Sequence, residues 1–243
     1  MIDNHVHIDW FTDGYHKPLD VFNSEKAAGI SEISVSSTST CAELYKLVVK
    51  EMKSLITVGG SNIHPILWLT PRMLKTYGIR YMLHSKIRWE GIKLHCVSHR
   101  EWFYNKKLTY QAINIARNLN VPVLLHTGEF KECRAAVFEP LIKSNTDINF
   151  VLAHGRPIMQ TIDMLDKYSN CFVDTAFMPK EHIKLLLASG LEDKILFGTD
   201  APIDLIYVKD LSVSKYIKEK LIELRSICSE EQFEKITSAH IYY

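Results

Sequence analysis

Short apolar runs alternate with stretches of helical periodicity from one end of the 243-residue chain to the other. The runs at about 2–9, 30–36, 91–95, 121–126, 149–154, 171–175 and 195–200 are rich in Val, Ile and Leu and show little polar alternation. That pattern predicts parallel strands covered on both faces. Ile56-Thr57-Val58-Gly59-Gly60 reads as one more strand, third in order, leading into Asn62-Ile63-His64-Pro65. Between the runs, apolar residues recur at helical spacing. Leu44, Leu47, Val48, Met52 and Leu55 form one stripe, and Leu108, Ala112, Ile115, Ala116 and Leu119 another. Ile217, Leu221, Leu224 and Cys228 form a third.

A helix over 17–29 is expected to stop at Gly29, since glycine readily takes the left-handed conformation that ends helices. Helices are also expected over 132–144, interrupted by Pro140, up to Tyr168, and through Leu185–Leu187. Ser229-Glu230-Glu231-Gln232 spells a capping box for a last helix. The stretch 66–88 has no clean period, although Pro71 suits the first turn of a helix. Eight strands, each followed by helix-like sequence, predict an α/β protein. They close most simply as a (β/α)8 TIM barrel, with an open doubly wound sheet as the competitor. No linker or repeat interrupts the pattern, so a single domain over 1–243 is expected.

Composition narrows the partners. A formal net charge of +1 argues against nucleic acid and against an anionic membrane surface. No apolar run reaches membrane-spanning length, and the start of the chain has no apolar segment of the signal-peptide kind. The five cysteines (Cys41, Cys96, Cys133, Cys171, Cys228) are odd in number and lack a C-x-x-C spacing. They read as reduced thiols of a cytoplasmic protein. The expected partner is a small-molecule substrate, and a homodimer is compatible with this picture.

The chemistry concentrates at strand ends. Alternate residues of a strand share a face, so Asp3, His5, His7 and Asp9 point one way, and Val6 and Ile8 the other. Two imidazoles at that spacing can converge on one divalent cation, with carboxylates to orient or assist them. Lys93 and His95 end the fourth run, His126 the fifth, His154 the sixth and Asp200 the eighth, while Asp174 lies in the seventh. In barrels of this type the reactive groups sit at the C-terminal ends of the strands. Histidines closing so many strands, with an aspartate closing the last, point to a metal centre.

These motifs are Asp3-x-His5-x-His7, Gly91-x-Lys93-x-His95, His126, His154-Gly155 and Gly198-Thr199-Asp200. Their order and spacing resemble the amidohydrolase superfamily of metal-dependent hydrolases. The likeness is strongest to the amidohydrolase-2 branch, which includes amidases, lactonases and non-oxidative decarboxylases. The resemblance implies that His5, His7 and His126 ligate the metal. Asp200 would be a further ligand or the base that takes a proton from water, and His154 would contact that water or the substrate oxygen. Imidazole and carboxylate donors suit one Zn²⁺, with Mn²⁺ or another transition metal as alternatives.

Lys93, His95, His64 and Arg156 are the candidates for binding substrate. His64 resembles the histidine of the Ile-His-Pro found in TatD-like relatives, and a turn role before Pro65 competes with that reading. Asp174 is expected to orient His154 or Asp200, or to cap its strand. TatD-like nucleases carry a bridging glutamate on the fourth strand. The run Gly91-Ile92-Lys93-Leu94-His95 has no carboxylate, which argues for one metal unless Lys93 is carboxylated. The expected function is hydrolysis of a C–N or C–O bond in an amide, lactone or ester. The alternatives are decarboxylation on the same site, a TatD-like nuclease, and a non-catalytic metal-binding protein of the same fold.

Overall fold

The apolar runs build strands β1 (Ile2–Phe11), β2 (Gly14–His16), β3 (Glu32–Ser37), β4 (Ile63–Trp68), β5 (Gly91–Leu94), β6 (Val123–His126), β7 (Phe150–Ala153), β8 (Cys171–Asp174) and β9 (Ile195–Leu196). The structure, a computed structural model, describes residues 1–11, 14–38, 45–84, 86–203 and 211–242. Cys41, Leu44 and the side chain of Phe11 lie outside the described residues. The strands form one sheet in the order β2-β1-β3-β4-β5-β6-β7-β8-β9. β2 folds back antiparallel on the end of β1, and every other pairing is parallel.

The sheet curls until the segment after β9 reaches β1. Asn4 N–H donates to Phe197 O at 2.8 Å, Asp200 N–H to His5 O at 2.7 Å and His7 N–H to Ala201 O at 2.7 Å. The helices are α1 (Pro18–Ala28), α2 (Tyr45–Gly59), α3 (Pro71–Leu83), α4 (Glu101–Tyr104), α5 (Lys106–Leu119), α6 (Glu139–Ser144), α7 (Ile158–Lys167), α8 (Lys180–Ala188), α9 (Val213–Arg225) and α10 (Glu230–Ser238). The stripes place them: Val48, Met52 and Leu55 of α2, and Ala112, Ile115 and Ala116 of α5, are buried. The capping box at Ser229 and Gln232 is present at the start of α10.

Three expectations need correction. Residues 56–60 are not a strand: Ile56 to Gly59 form the last turn of α2, and Gly60 opens a short 3-10 turn. The β-branched Ile56, Thr57 and Val58 favour strand locally, but the helical stripe continues through Leu55, and Val58 is 59% exposed, as no strand inside this sheet could be. Gly59 matters here, because a Cβ on it would run into Ile63 and Phe22. The third parallel strand is therefore Ile63–Trp68, with Pro65 inside it pairing with Val35. Pro140 opens α6 rather than interrupting a helix. The last strand is two residues long, because Gly198-Thr199-Asp200 leaves the ladder, with Asp200 at φ 64°.

Two apolar clusters result. The larger lies between the sheet and its helices. The smaller fills the inside of the curl with Ile66, Leu124, Val151, Leu196 and, from the segment after α10, Ile241 and Tyr242. Tyr242 is fully buried against Gly91, at the start of β5. Among the described residues, no helix is long and apolar enough to cross a membrane.

Candidate metal centre

β1 sends His5 and His7 into the curl, and the turn after β9 brings Asp200 to them. His5 Nε2 and His7 Nε2 are 3.2 Å apart. Asp200 Oδ1 lies 3.1 Å from the first and 2.8 Å from the second. All three residues are buried. Their outer contacts fix the rings: His5 Nδ1 lies 2.8 Å from Asp174 Oδ2, and His7 Nδ1 lies 3.2 Å from Ser36 O and 2.9 Å from Ser36 Oγ. A carboxylate only accepts, so His5 Nδ1 carries its hydrogen. The Ser36 carbonyl likewise assigns the hydrogen of His7 to Nδ1, with the Ser36 hydroxyl able to accept beside it, and on this assignment both Nε2 lone pairs face the cluster. Lys93 reaches in from β5 with Nζ 2.7 Å from His5 Nε2 and 2.8 Å from His7 Nε2, and 4.9 Å from the centre of the Trp68 ring.

The surroundings keep His7, His95, His126 and His154 neutral. Burial, with the Lys93 charge behind it, lowers the His7 pKa to about 3. Burial lowers His154 to about 4 and pushes His95 and His126 well below the usual histidine range. Burial also lowers Lys93 to about 8. Alone it would raise Asp200, but the electrostatic pull of His5, His7 and Lys93 and the close approach of His7 hold that carboxyl well below the usual range.

A cavity of about 770 Å³ opens over the cluster, with Lys93, His95, His126, His154, Arg156 and Asp200 in its lining. His154 Nε2 is 3.2 Å from His126 Nδ1, and His154 Nδ1 is 3.0 Å from Ala176 O. Trp68, His95 and His126 stack in a row, with ring centres 5.0 Å and then 3.8 Å apart. Arg156 donates to Phe177 O at 2.6 Å. His154 sits at φ 70°. The adjoining Gly155 cannot carry a side chain, since a Cβ there would collide with Met178 and Val173.

The residues singled out from the sequence therefore fall into groups. His5, His7 and Asp200 converge as one set able to hold a metal, and His5, His154 and Asp174 as a second. His126 is not a member of either set and stands beside His154. Lys93, His95 and Arg156 line the same cavity. His64 does not reach it. As the second residue of β4 it lies near the start of the strand, with Nδ1 2.7 Å from Glu90 Oε2 and Nε2 3.1 Å from Glu32 Oε2.

Asp174 holds the ring of His5 and the backbone N–H of His154, rather than Asp200 or the His154 ring. Asp9 is turned away by φ 91° and accepts from Ser37. Asp3 accepts from His5 N at 3.0 Å, Thr199 N at 3.1 Å and Thr199 Oγ1 at 2.6 Å, clasping β1 to the turn that carries Asp200. Phe177 holds Arg156 through a backbone carbonyl, which leaves no sequence signal, and Ser36 holds His7 through both its carbonyl and its hydroxyl.

A family model for amidohydrolases matches residues 79–236. No curated protein matches the sequence. A probable 2-pyrone-4,6-dicarboxylic acid hydrolase from Acinetobacter baumannii, solved with citric acid bound, is 12% identical over 97% of this chain and 98% of its own, with a TM-score of 0.69. A 5-carboxyvanillate decarboxylase from Novosphingobium aromaticivorans, complexed with manganese and 4-hydroxy-3-methoxy-5-nitrobenzoic acid, is 10% identical over 90% of this chain and 77% of its own, with a TM-score of 0.63. A 4-oxalomesaconate hydratase from Rhodopseudomonas palustris is 15% identical over 98% and 93%, with a TM-score of 0.62. At these identities the likeness is one of fold.

Proposed function

The chain belongs to the amidohydrolase family of enzymes, and from that premise we propose that it uses a divalent metal ion to hydrolyse a C–N or C–O bond of a small carbonyl compound. One observation carries the reading. His5 Nε2, His7 Nε2 and Asp200 Oδ1 are three acceptor atoms buried within 3.2 Å of one another, and Asp200 Oδ1 has no hydrogen-bond partner. Acceptors so placed repel unless a cation stands among them. Lys93 fills that role at the two imidazoles, and two imidazoles with a carboxylate are a donor set for Zn²⁺. The same donors serve Mn²⁺, the ion in the decarboxylase neighbour. A divalent ion held there would polarise a carbonyl and acidify a water.

The protein's own groups do the rest. Asp200, kept ionised, takes the water proton as general base. His154, neutral and held through Nδ1 by Ala176 O, presents Nε2 to the substrate oxygen or the water. His126 completes the ligand set or steadies His154. Arg156, Lys93 and His95 bind substrate from the cavity wall. The two cations can hold a carboxylate, which favours non-oxidative decarboxylation as the second reading. We take the curled sheet as a closed (β/α)8 barrel, a single domain over 1–243 with one ion per chain. The hydrogen bonds between β1 and residues 197–201 support the closure.

The test is a panel of lactones, amides, esters and aromatic carboxylates with enzyme loaded with Zn²⁺ or Mn²⁺. Turnover of at least one ring or amide substrate is expected, and Asp200→Asn should lower kcat by about 10²–10⁴-fold. Release of CO2 without hydrolysis selects the second reading. Full activity of Asp200→Asn removes Asp200 as the base.

A further inference from the structure

The Lys93 ammonium and a divalent ion need the same two lone pairs. His5 commits Nδ1–H to Asp174, and His7 commits Nδ1–H to Ser36. Each neutral ring then has one lone pair, on Nε2. Lys93 Nζ, a donor without acceptor capacity, sits 2.7 Å and 2.8 Å from those two nitrogens. A lone pair that accepts a hydrogen bond from Lys93 cannot ligate an ion at the same time. Lys93 is only 2% exposed, so little water screens the repulsion between an ammonium and a divalent charge at this range.

We propose that Lys93 is a built-in competitor of the metal. It holds the His5 and His7 lone pairs together as a surrogate cation, and it must leave both rings for the ion to bind. This inference rests on the metal reading above and concerns how the site is loaded. The side chain has a place to go. Nζ already lies over the face of Trp68, and Lys93 lines the cavity. Rotation of its flexible stem moves the charge off the imidazoles and into the substrate space while it keeps an aromatic partner. Loading the ion then also delivers a cation to the cavity, so metal binding and capture of an anionic substrate group are linked. The cluster without an ion is a preassembled site, because Lys93 offsets the mutual repulsion of its acceptors.

Isothermal titration with MnCl2 decides the matter, using the full-length protein, Lys93→Met, Lys93→Gln, and His5→Ala as the non-binding control. An affinity lowered by an internal competitor scales with the fraction of molecules in which the competitor is absent, so Lys93→Met should bind Mn²⁺ about tenfold or more tightly than wild type. Lys93→Gln, a neutral donor, should fall between them. It also reads the competition if Lys93→Met folds poorly. After EDTA treatment Lys93→Met should melt below wild type, and MnCl2 should restore it. Equal affinity in the wild type and both variants overturns the proposal. Weaker binding in the variants also overturns it and makes Lys93 a ligand. If no protein binds Mn²⁺, both the metal reading and this inference fail. If wild type binds and the lysine variants bind no better, only the inference fails.

Discussion

The two ends of the sheet each gather histidines against carboxylates, and the same residue types behave oppositely there. At the C-terminal ends, His7 and His154 are driven to pKa values of about 3 and about 4 by burial; Nε2 of His7 faces Asp200 and Lys93, and Nε2 of His154 faces His126. At the N-terminal ends, burial alone would lower His64, but hydrogen bonds and charges from Glu90 and Glu32 overcome it and raise its pKa above 6.5. The His240 ring packs 4.1 Å from His64 and is itself lowered to about 4, by burial and by the His64 charge. A neutral imidazole can take a cation, whereas a protonated one cannot. What separates a metal site from a structural ion pair is therefore where the second nitrogen of each ring points. At the first end one nitrogen is anchored and the other offers its lone pair inward. At the second, both nitrogens of His64 are used on glutamates.

The largest effects that could break this contrast are at the metal end. His5→Ala and His7→Ala should each stay folded by circular dichroism and lose most bound metal after dialysis, while His64→Gln keeps its metal. Metal loss from His64→Gln, or full retention by His5→Ala and His7→Ala, would erase the distinction. Next comes the anchor. Asp174→Asn leaves the His5 ring with a weaker outer partner and should lower metal affinity by about 10–100-fold, measured by competition with a chelating dye. An unchanged affinity would mean that Ser36 and packing alone orient the pair.

The smallest effect is at the other end. Removing His64 leaves Glu90 short of a charged partner, so His64→Gln should cost about 1–3 kcal/mol of unfolding free energy in urea. Because the folded pKa of His64 is raised, its contribution should be full below pH 6.5 and fade as pH rises through the raised value. Melting temperatures of wild type and His64→Gln should therefore converge toward alkaline pH. A gap that widens with pH would contradict the ion-pair reading.

His64 also shows how much of this could be read beforehand. Most strands were legible because buried parallel strands are continuous apolar runs, and Lys93, His95, His126, His154 and Asp200 at the ends of those runs do line the cavity. The exception is the third parallel strand. Local β-branched residues at 56–58 imitated a strand, and Pro65 looked like a turn although it lies in the ladder. Moving that strand to 63–68 turns His64 from a residue after a strand into one near its start, at the far end of the sheet. The place of Lys93 in the site was legible from its position near the end of an apolar run. Its contact with both imidazoles was not, since that depends on how far β1 and β5 curl toward each other. The partner of Asp174 was likewise invisible, because it is set by the packing of β8 against β1 across the interior.

The clasp of Asp3 on Thr199 joins positions separated by 196 residues, and it forms only when the first and last parallel strands meet. His5, His7 and Asp200 thus exist as a set only in a chain that has completed this longest-range pairing. Pairings of that span tend to form late in folding, because their loop closure is the least favourable. An ion bound to the set would act on the finished molecule: it would slow unwinding of the first strand without speeding the search that brings the strands together. Metal uptake during refolding would then serve as a clock for closure, and its rate should lag behind the recovery of helical circular dichroism.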